Sequence, residues 1–193
     1  ENCIYTKDDE SLVYCYSKDK DIVLKNKFKI VNTDAFSGAS ANVQSITFPE
    51  SMTTIKTRAF VYCKLLKTLN IGKNVNDIRG SFRDNTNLVM TLNIDSENPY
   101  YMVEDNILYS KNKDKLVAVL YKIEGAFVVS NDVKIIGAHA FESQANMTNI
   151  TMNKGIEQLE EEIFASCSSL LNVEIPSTVT TIDKNCFSSC PSI

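Results

Sequence analysis

Any chemistry in this chain must be assembled from few parts. There is one histidine, His139, among 193 residues. Without a second histidine, neither a zinc site nor a Ser–His–Asp constellation with another base has support. Two acidic runs, Asp8-Asp9-Glu10 and Glu160-Glu161-Glu162, offer carboxylates for metal or acid–base work. The first falls in a polar turn and the second at the outer edge of a repeat, so both read as solvated charge. His139 fills a position held elsewhere by Arg58 and Glu162 and reads as a solvated surface residue. Asp95-Ser96-Glu97-Asn98 lacks the glycine and spacing of a calcium loop. No glycine-rich phosphate loop is present, and the six cysteines include no C-x-x-C pair. The sequence argues against an enzyme and assigns no metal and no cofactor.

The elements that must position any functional surface recur. Phe36, Phe60, Phe82, Phe141, Phe164 and Phe187 are separated by 24, 22, 59, 23 and 23 residues. Periods of this size mark stacked coils, none of which buries its apolar residues alone. The stretch from Ile55 carries Phe60, Cys63, Leu66, Leu69, Ile71, Val75 and Ile78. The stretch from Leu159 carries Phe164, Cys167, Leu170, Val173, Ile175, Val179 and Ile182 at the same offsets. Apolar pairs two residues apart (Ile46/Phe48, Leu69/Ile71, Leu92/Ile94, Ile150/Met152, Val173/Ile175) predict a short strand with one buried face. The five strands are expected to make one parallel sheet. Pro49 and Pro176 end two of them. A small residue before the ring (Ala35, Ala59, Ser81, Ala140, Cys186) predicts a helical or 3-10 turn on the far side of the coil. Ile163 breaks that rule and predicts looser or shifted packing.

The 59-residue step is one coil plus 36 further residues near 95–130. That segment has a twin: NCIYTKDDESLVYCY at 2–16 matches NILYSKNKDKLVAVL at 106–120. In each copy alternating apolar runs flank a polar turn, the pattern of a β-hairpin. The expected organisation is a single domain over 1–193. It has a hairpin module at 1–30, coils at 31–94, an inserted hairpin module at 95–130 and coils at 131–193. Cys63, Cys167 and Cys190 hold the repeat's own cysteine position as small buried groups. Cys3 and Cys15 belong to the first hairpin. A disulfide there competes with an unpaired apolar role, which the matched Ile107 and Val119 favour. Cysteine usage leaves the compartment open.

At these residues the chain resembles the BspA-like leucine-rich repeat family. KTRAFVYCKLLKTLNIGKNVNDI and EEEIFASCSSLLNVEIPSTVTTI follow its pattern closely, and NPYYMVEDNILYSKNKDKLVAVL looks like a recurrent insertion of that family. Asn85 at the cysteine position, the deletion before Ser81, and Gln144 depart from it. The resemblance implies an α/β leucine-rich repeat solenoid with inserted β-hairpins. It is curved, with a parallel sheet on its concave face and short helical or 3-10 turns on the convex side. The resemblance also implies surface proteins of host-associated bacteria and parasitic protozoa, several of them adhesins. An extracellular or cell-surface location follows as an expectation.

A net charge of −4 argues against nucleic acid, which needs a basic stripe. Lys25, Lys27 and Lys29 alternate onto one strand face and read as edge protection. Nothing approaches the apolar length of a membrane span. The chain starts inside a hairpin and stops partway through a coil, so it reads as a fragment of a longer protein. Apolar edges near Phe187 and Ile193 then favour weak end-to-end self-association.

The surface columns carry the functional expectation. Side chains alternate across a strand, which projects Ser45, Thr68, Thr91, Asn149 and Asn172 in one column and Thr47, Asn70, Asn93, Thr151 and Glu174 in another. One reading is a hydrogen-bonding surface for a protein or glycan partner. The other is ladders of Thr and Asn that bond one another. Tyr100 and Tyr101, with Tyr109, cluster in the inserted hairpin as aromatic contact candidates, and Tyr5, Tyr14 and Tyr16 in the other. Asn146-Met147-Thr148 and Asn149-Ile150-Thr151 are overlapping N-glycosylation sequons. The expected function is a non-catalytic recognition module, an adhesin-type surface protein that binds host matrix or cell-surface proteins or glycans. The alternative is an intracellular protein–protein scaffold or regulatory repeat domain.

Overall fold

The computed structural model describes residues 2–24, 27–39, 42–83 and 90–193. Lys25 and Asn85, singled out above, lie outside them. The chain divides into two compact units, Glu1–Asn106 and Ile107–Ile193.

The first unit contains β1 (Cys3–Tyr5), β2 (Ser11–Cys15), β3 (Asp21–Val23), β4 (Ile30–Val31), β5 (Ser45–Thr47), β6 (Thr54–Ile55), β7 (Thr68–Ile71), β8 (Thr91–Ile94) and β9 (Tyr101–Glu104). Strands β3, β5, β7 and β8 form one parallel sheet, with Ile22, Ile46, Leu69 and Leu92 in register. All four are buried, as the two-residue alternation requires. A second sheet, ordered β1-β2-β4-β6, is not among the elements that the apolar spacing marks. Leu12, Val31 and Ile55 align across it. The hairpin is therefore no appendage, because β2 supplies the first rung on which β4 and β6 stack.

The second unit repeats this plan. It contains β10 (Ile107–Ser110), β11 (Lys115–Val119), β12 (Gly125–Val128), β13 (Ile135–Ile136), β14 (Met147–Thr151), β15 (Gln158–Leu159), β16 (Asn172–Val173) and β17 (Thr181–Ile182). Strands β12, β14 and β16 make the first sheet. The hairpin β10–β11 leads into β13, β15 and β17, with Leu116, Ile136, Leu159 and Ile182 aligned. The five strands expected in one sheet thus fall into two, β5-β7-β8 and β14-β16. Neighbours within each are parallel.

Each unit stacks its phenylalanines. Phe36, Phe60 and Phe82 lie 5.6 and 5.7 Å apart in the first. Phe141, Phe164 and Phe187 lie 5.6 and 5.4 Å apart in the second. These are offset stacks of favourable geometry. Among the described residues, helix is limited to a 3-10 turn at Ser37–Ala39. A Cβ at Gly38 would stand 2.1 Å from the Tyr14 hydroxyl, so a larger residue there would displace the end of that exposed ring. Ile163, expected to disturb its coil, is fully buried. Its carbonyl accepts from Phe141 N at 3.0 Å, just as that of Ala59 accepts from Phe36 N at 3.0 Å.

The repeat cysteine is a hydrogen-bond donor as well as a small apolar group. The Cys167 and Cys190 thiols each reach the carbonyl of the preceding coil's phenylalanine, Phe141 and Phe164, at 3.0 Å, and Cys63 reaches Phe36 at 3.5 Å. Where cysteine is missing, Gln144 also ties back to the preceding segment, but to other groups. It donates to Tyr121 O at 2.8 Å and accepts from Ile123 N at 2.9 Å. Burial pushes the Cys63 and Cys167 thiols up to about 12, so neither is a nucleophile near neutrality.

The two hairpins share one register. Cys3 opposes Cys15 as Ile107 opposes Val119, and both ladders shift two residues further on. Cys3 and Cys15 form a disulfide, with Cα atoms 4.0 Å apart. This corrects the unpaired reading: the facing register fixes proximity, which the apolar character of the matched pair does not oppose. Lys27 and Lys29 lie in no strand, and Lys29 pairs with Glu10 at 3.0 Å.

Candidate functional site

The outward columns of the first sheets are the surfaces that the repeats build by geometry alone. In the first unit, Asp21, Ser45, Thr68 and Thr91 align in one column and Val23, Thr47, Asn70 and Asn93 in the other. Asn70 donates to Thr47 Oγ1 at 2.9 Å, and Asn93 donates to Asn70 Oδ1 at 2.7 Å. The second column is thus an internally bonded ladder that braces neighbouring strands.

In the second unit, Ala126 aligns with Asn149 and Asn172, and Val128 with Thr151. Asn149 donates sideways to Thr148 Oγ1 at 3.0 Å, within its own strand. Asn149, Thr151, Asn172 and Glu174 are all exposed. They line a groove of about 380 Å³ together with Lys154 and Pro176. The structure therefore gathers four of the candidate residues around one concavity. Both sequon asparagines are exposed, and Asn146 is held at 3.0 Å by Glu124. A glycan on Asn149 would occupy the groove.

Each column begins one strand earlier than the repeat pattern marks. Asp21 and Val23 on β3, and Ala126 and Val128 on β12, extend them. Val23 is 54% exposed and Val128 71% exposed. The offset between the hairpin twins contained this signal, because it carries each twin into the strand that follows.

The tyrosines separate. Tyr100 is 47% exposed and lines a second groove of about 450 Å³ with Ser51, Lys73, Asn76 and Glu97. Lys73 and Glu97 pair there at 2.7 Å. Tyr101 is buried and its hydroxyl donates to Asn76 O at 3.0 Å. Burial, then the nearby Asp77, pushes its phenol up. Tyr101 is a packing residue and not a contact candidate, because neighbouring residues at a strand start point to opposite faces. Tyr109 is buried as well, whereas Tyr14 and Tyr16 are exposed.

The histidine and two residues of the acidic run, Glu160 and Glu162, also depart from expectation, whereas the Glu161 side chain is 42% exposed and pairs with Lys184 at 3.0 Å. His139 and Glu162 each lie two residues before a stacked phenylalanine, with φ of 60° and 55°. Asp34, Arg58, Gly80 and Asn185 share that left-handed position. The strain is offset by bonds to the next coil: His139 N reaches Glu161 O at 3.1 Å and Glu162 N reaches Lys184 O at 3.2 Å. The His139 side chain is only 8% exposed, and Glu162 only 18%. Glu160 is equally enclosed, bonded to Lys115 at 2.5 Å and to Ala138 N at 2.9 Å. Solvated charge describes Asp8-Asp9-Glu10, which are exposed, but not these residues.

Among the described residues, no helix is long and apolar enough to cross a membrane. The family described as the BspA type leucine rich repeat region matches residues 10–114 and 122–193, in six copies. No curated protein matches the chain. Among solved structures, the pneumococcal vaccine antigen PcpA is similar, with a TM-score of 0.72 at 22% identity over 89% of this chain and 43% of that one. A leucine-rich repeat protein from Eubacterium ventriosum gives 0.69 at 22% identity, over 89% and 51%. The Treponema pallidum leucine rich repeat protein gives 0.50 at 18% identity, over 98% and 87%. The chain thus spans less than two thirds of the first two proteins. With matching copies in both compact units, it belongs to the BspA-type leucine-rich repeat family.

Proposed function

We propose that this chain is the non-catalytic recognition segment of an extracellular or cell-surface adhesin-type protein, and that its partner is a host protein or glycan. One observation carries the reading: exposed amide and hydroxyl groups of Asn149, Thr151 and Asn172 converge on one groove, with Glu174 at its side. Convergent hydrogen-bonding groups in a concavity suit a sugar or an extended peptide. The exposed Val128 lies next to Thr151 in register and adds apolar contact. In the first unit the amides of Asn70 and Asn93 already bond within their ladder, so the second unit is the better surface. Tyr100 supplies a separate aromatic contact.

The Cys3–Cys15 disulfide supports an oxidising compartment over the intracellular alternative. The description of PcpA as a vaccine antigen supports a surface location. The test is binding of the chain to immobilised matrix proteins and glycan arrays. Thr151→Lys with Asn172→Lys is expected to lower binding at least about tenfold, since one buried unpaired charge costs more than the ~1.4 kcal/mol that tenfold represents. Thr68→Lys with Asn70→Lys, and Tyr100→Ala, serve as comparison sets. Equal binding by all variants and parent, or no binding to any surface offered, defeats the proposal.

A further inference from the structure

His139, Glu142 and Glu162 come together on the turn side of the second unit, two from one coil and one from the next. His139 precedes the stacked Phe141 by two residues and Glu142 follows it by one. Glu162 stands one coil later at the histidine's own repeat position. His139 Nδ1 lies 3.1 Å from Glu142 Oε2 and 3.7 Å from Glu162 Oε2. All three donor atoms lie within 4.8 Å of one another. The His139 side chain is more than nine-tenths buried, and Nδ1 makes no hydrogen bond.

That last fact separates two explanations. A proton shared by imidazole and carboxylate needs a near-linear N–H···O bond, and the 3.1 Å approach to Glu142 does not have that geometry. A metal ion makes a different demand, with donor atoms converging on a point off the line that joins them. With metal–ligand distances of about 2.0–2.2 Å, neighbouring donors sit roughly 3.0–3.5 Å apart. The observed 3.1 and 3.7 Å bracket that spacing.

We propose that His139, Glu142 and Glu162 form a binding site for a divalent first-row transition ion, with zinc the best fit. One imidazole and two carboxylates balance a divalent charge and leave coordination positions open. Calcium is a poor match, because it takes six to eight oxygen donors. Since Glu162 belongs to the coil after His139 and Glu142, a bound ion ties two successive coils together at their turns. That link predicts stabilisation on loading and needs no catalysis.

The single histidine makes the test direct. The chain, with any purification tag removed, is titrated with zinc alone. The imidazole nitrogens are followed by long-range proton–nitrogen NMR, where one set of signals belongs to His139. Zinc is expected to bind one per chain, shift the Nδ1 resonance, and raise Tm by about 5–10 °C at a hundredfold excess over Kd. Calcium should do none of these. Glu142→Gln and Glu162→Gln should each weaken zinc at least about tenfold, while Cys186→Ser with Cys190→Ser should leave it unchanged. No binding at micromolar zinc overturns the proposal. Binding without an imidazole shift, or binding that survives both glutamine variants, overturns it equally and assigns the ion to an adventitious site. The parent spectrum decides even where a variant fails to fold.

Discussion

The two units are built to one plan and hold themselves together differently. Each starts with a hairpin whose second strand begins the two-residue-strand sheet, and each stacks three phenylalanines at 5.4–5.7 Å. The first closes its hairpin with a disulfide, bonds its surface amides into a ladder, and fills its left-handed column with an Asp34–Arg58 ion pair at 3.0 Å. The second has Ile107 opposite Val119, leaves its amides exposed, and fills the same column with His139 and Glu162. The repeat dictates where side chains go; it does not dictate what they do there. Function in such a fold is decided at the positions that the repeat leaves free.

The largest effect should come from what the units share. Phe60 and Phe164 are fully buried between two neighbouring rings. Phe60→Ala and Phe164→Ala should each cost about 3–5 kcal/mol, read from the urea midpoint. Phe82 and Phe187 are only partly buried, so their replacement should cost less. A loss under about 1 kcal/mol for either inner ring breaks the equivalence of the units.

The disulfide comes next. Cys3 and Cys15 are separated by 12 residues, and closing a loop near that length is worth about 3 kcal/mol. Cys3→Ser with Cys15→Ser should lose about 2–3 kcal/mol. Cys3→Ile with Cys15→Val installs the second hairpin's own pair and should recover part of that loss through apolar burial. If the graft is no better than the serine pair, the hairpins are not interchangeable parts.

How far the sequence foretold this depends on the side chain's job. The phenylalanine period, the alternation at Ile46, Leu69 and Ile150, and the hairpin twins are legible because burial repeats at fixed spacing. The two sheets that hold β4 and β6 in the first unit and β13, β15 and β17 in the second are barely legible, since a two-residue strand shows no alternation; only β-branched pairs such as Thr54-Ile55 and Thr181-Ile182 hint at them. The enclosure of His139 is illegible for another reason. Its column holds Asp, Arg, Gly, Glu and Asn elsewhere, a polar list that reads as surface. The same left-handed backbone carries the half-exposed Asp34 and Arg58, so neither the column nor its φ marks which side chain is enclosed. Tyr100 and Tyr101 are adjacent and identical, and only coordinates decide which one is buried.

The surface ladder gives a smaller contrast. Asn70 bonds Thr47 on one side and Asn93 on the other, so Asn70→Ala should cost about 0.5–1.5 kcal/mol. Asn149 donates to the half-buried Thr148 within its own strand and, among the described residues, braces no neighbouring strand, so Asn149→Ala should change stability by less than about 0.5 kcal/mol. Equal losses would mean that the second unit's column is also a structural ladder, which would weaken its claim as the binding surface.

The smallest effect tests the left-handed column of the first unit. The Arg58 and Asp34 side chains are 33% and 48% exposed, so water and salt screen their attraction, and both lose rotamer freedom in making it. Pairs of this kind contribute roughly 0–1 kcal/mol. Asp34→Asn keeps the shape and a side chain that tolerates the left-handed backbone at φ 58°, so it isolates the charge. The urea midpoint should fall by less than about 1 kcal/mol equivalent, and the difference should vanish in about 1 M salt, where the screening length is about 3 Å. A loss that is larger and persists in salt would show that the column braces the first unit as a structural element. The two units would then differ in the residues filling that column but not in its role, and the contrast drawn above would have to be given up for this column.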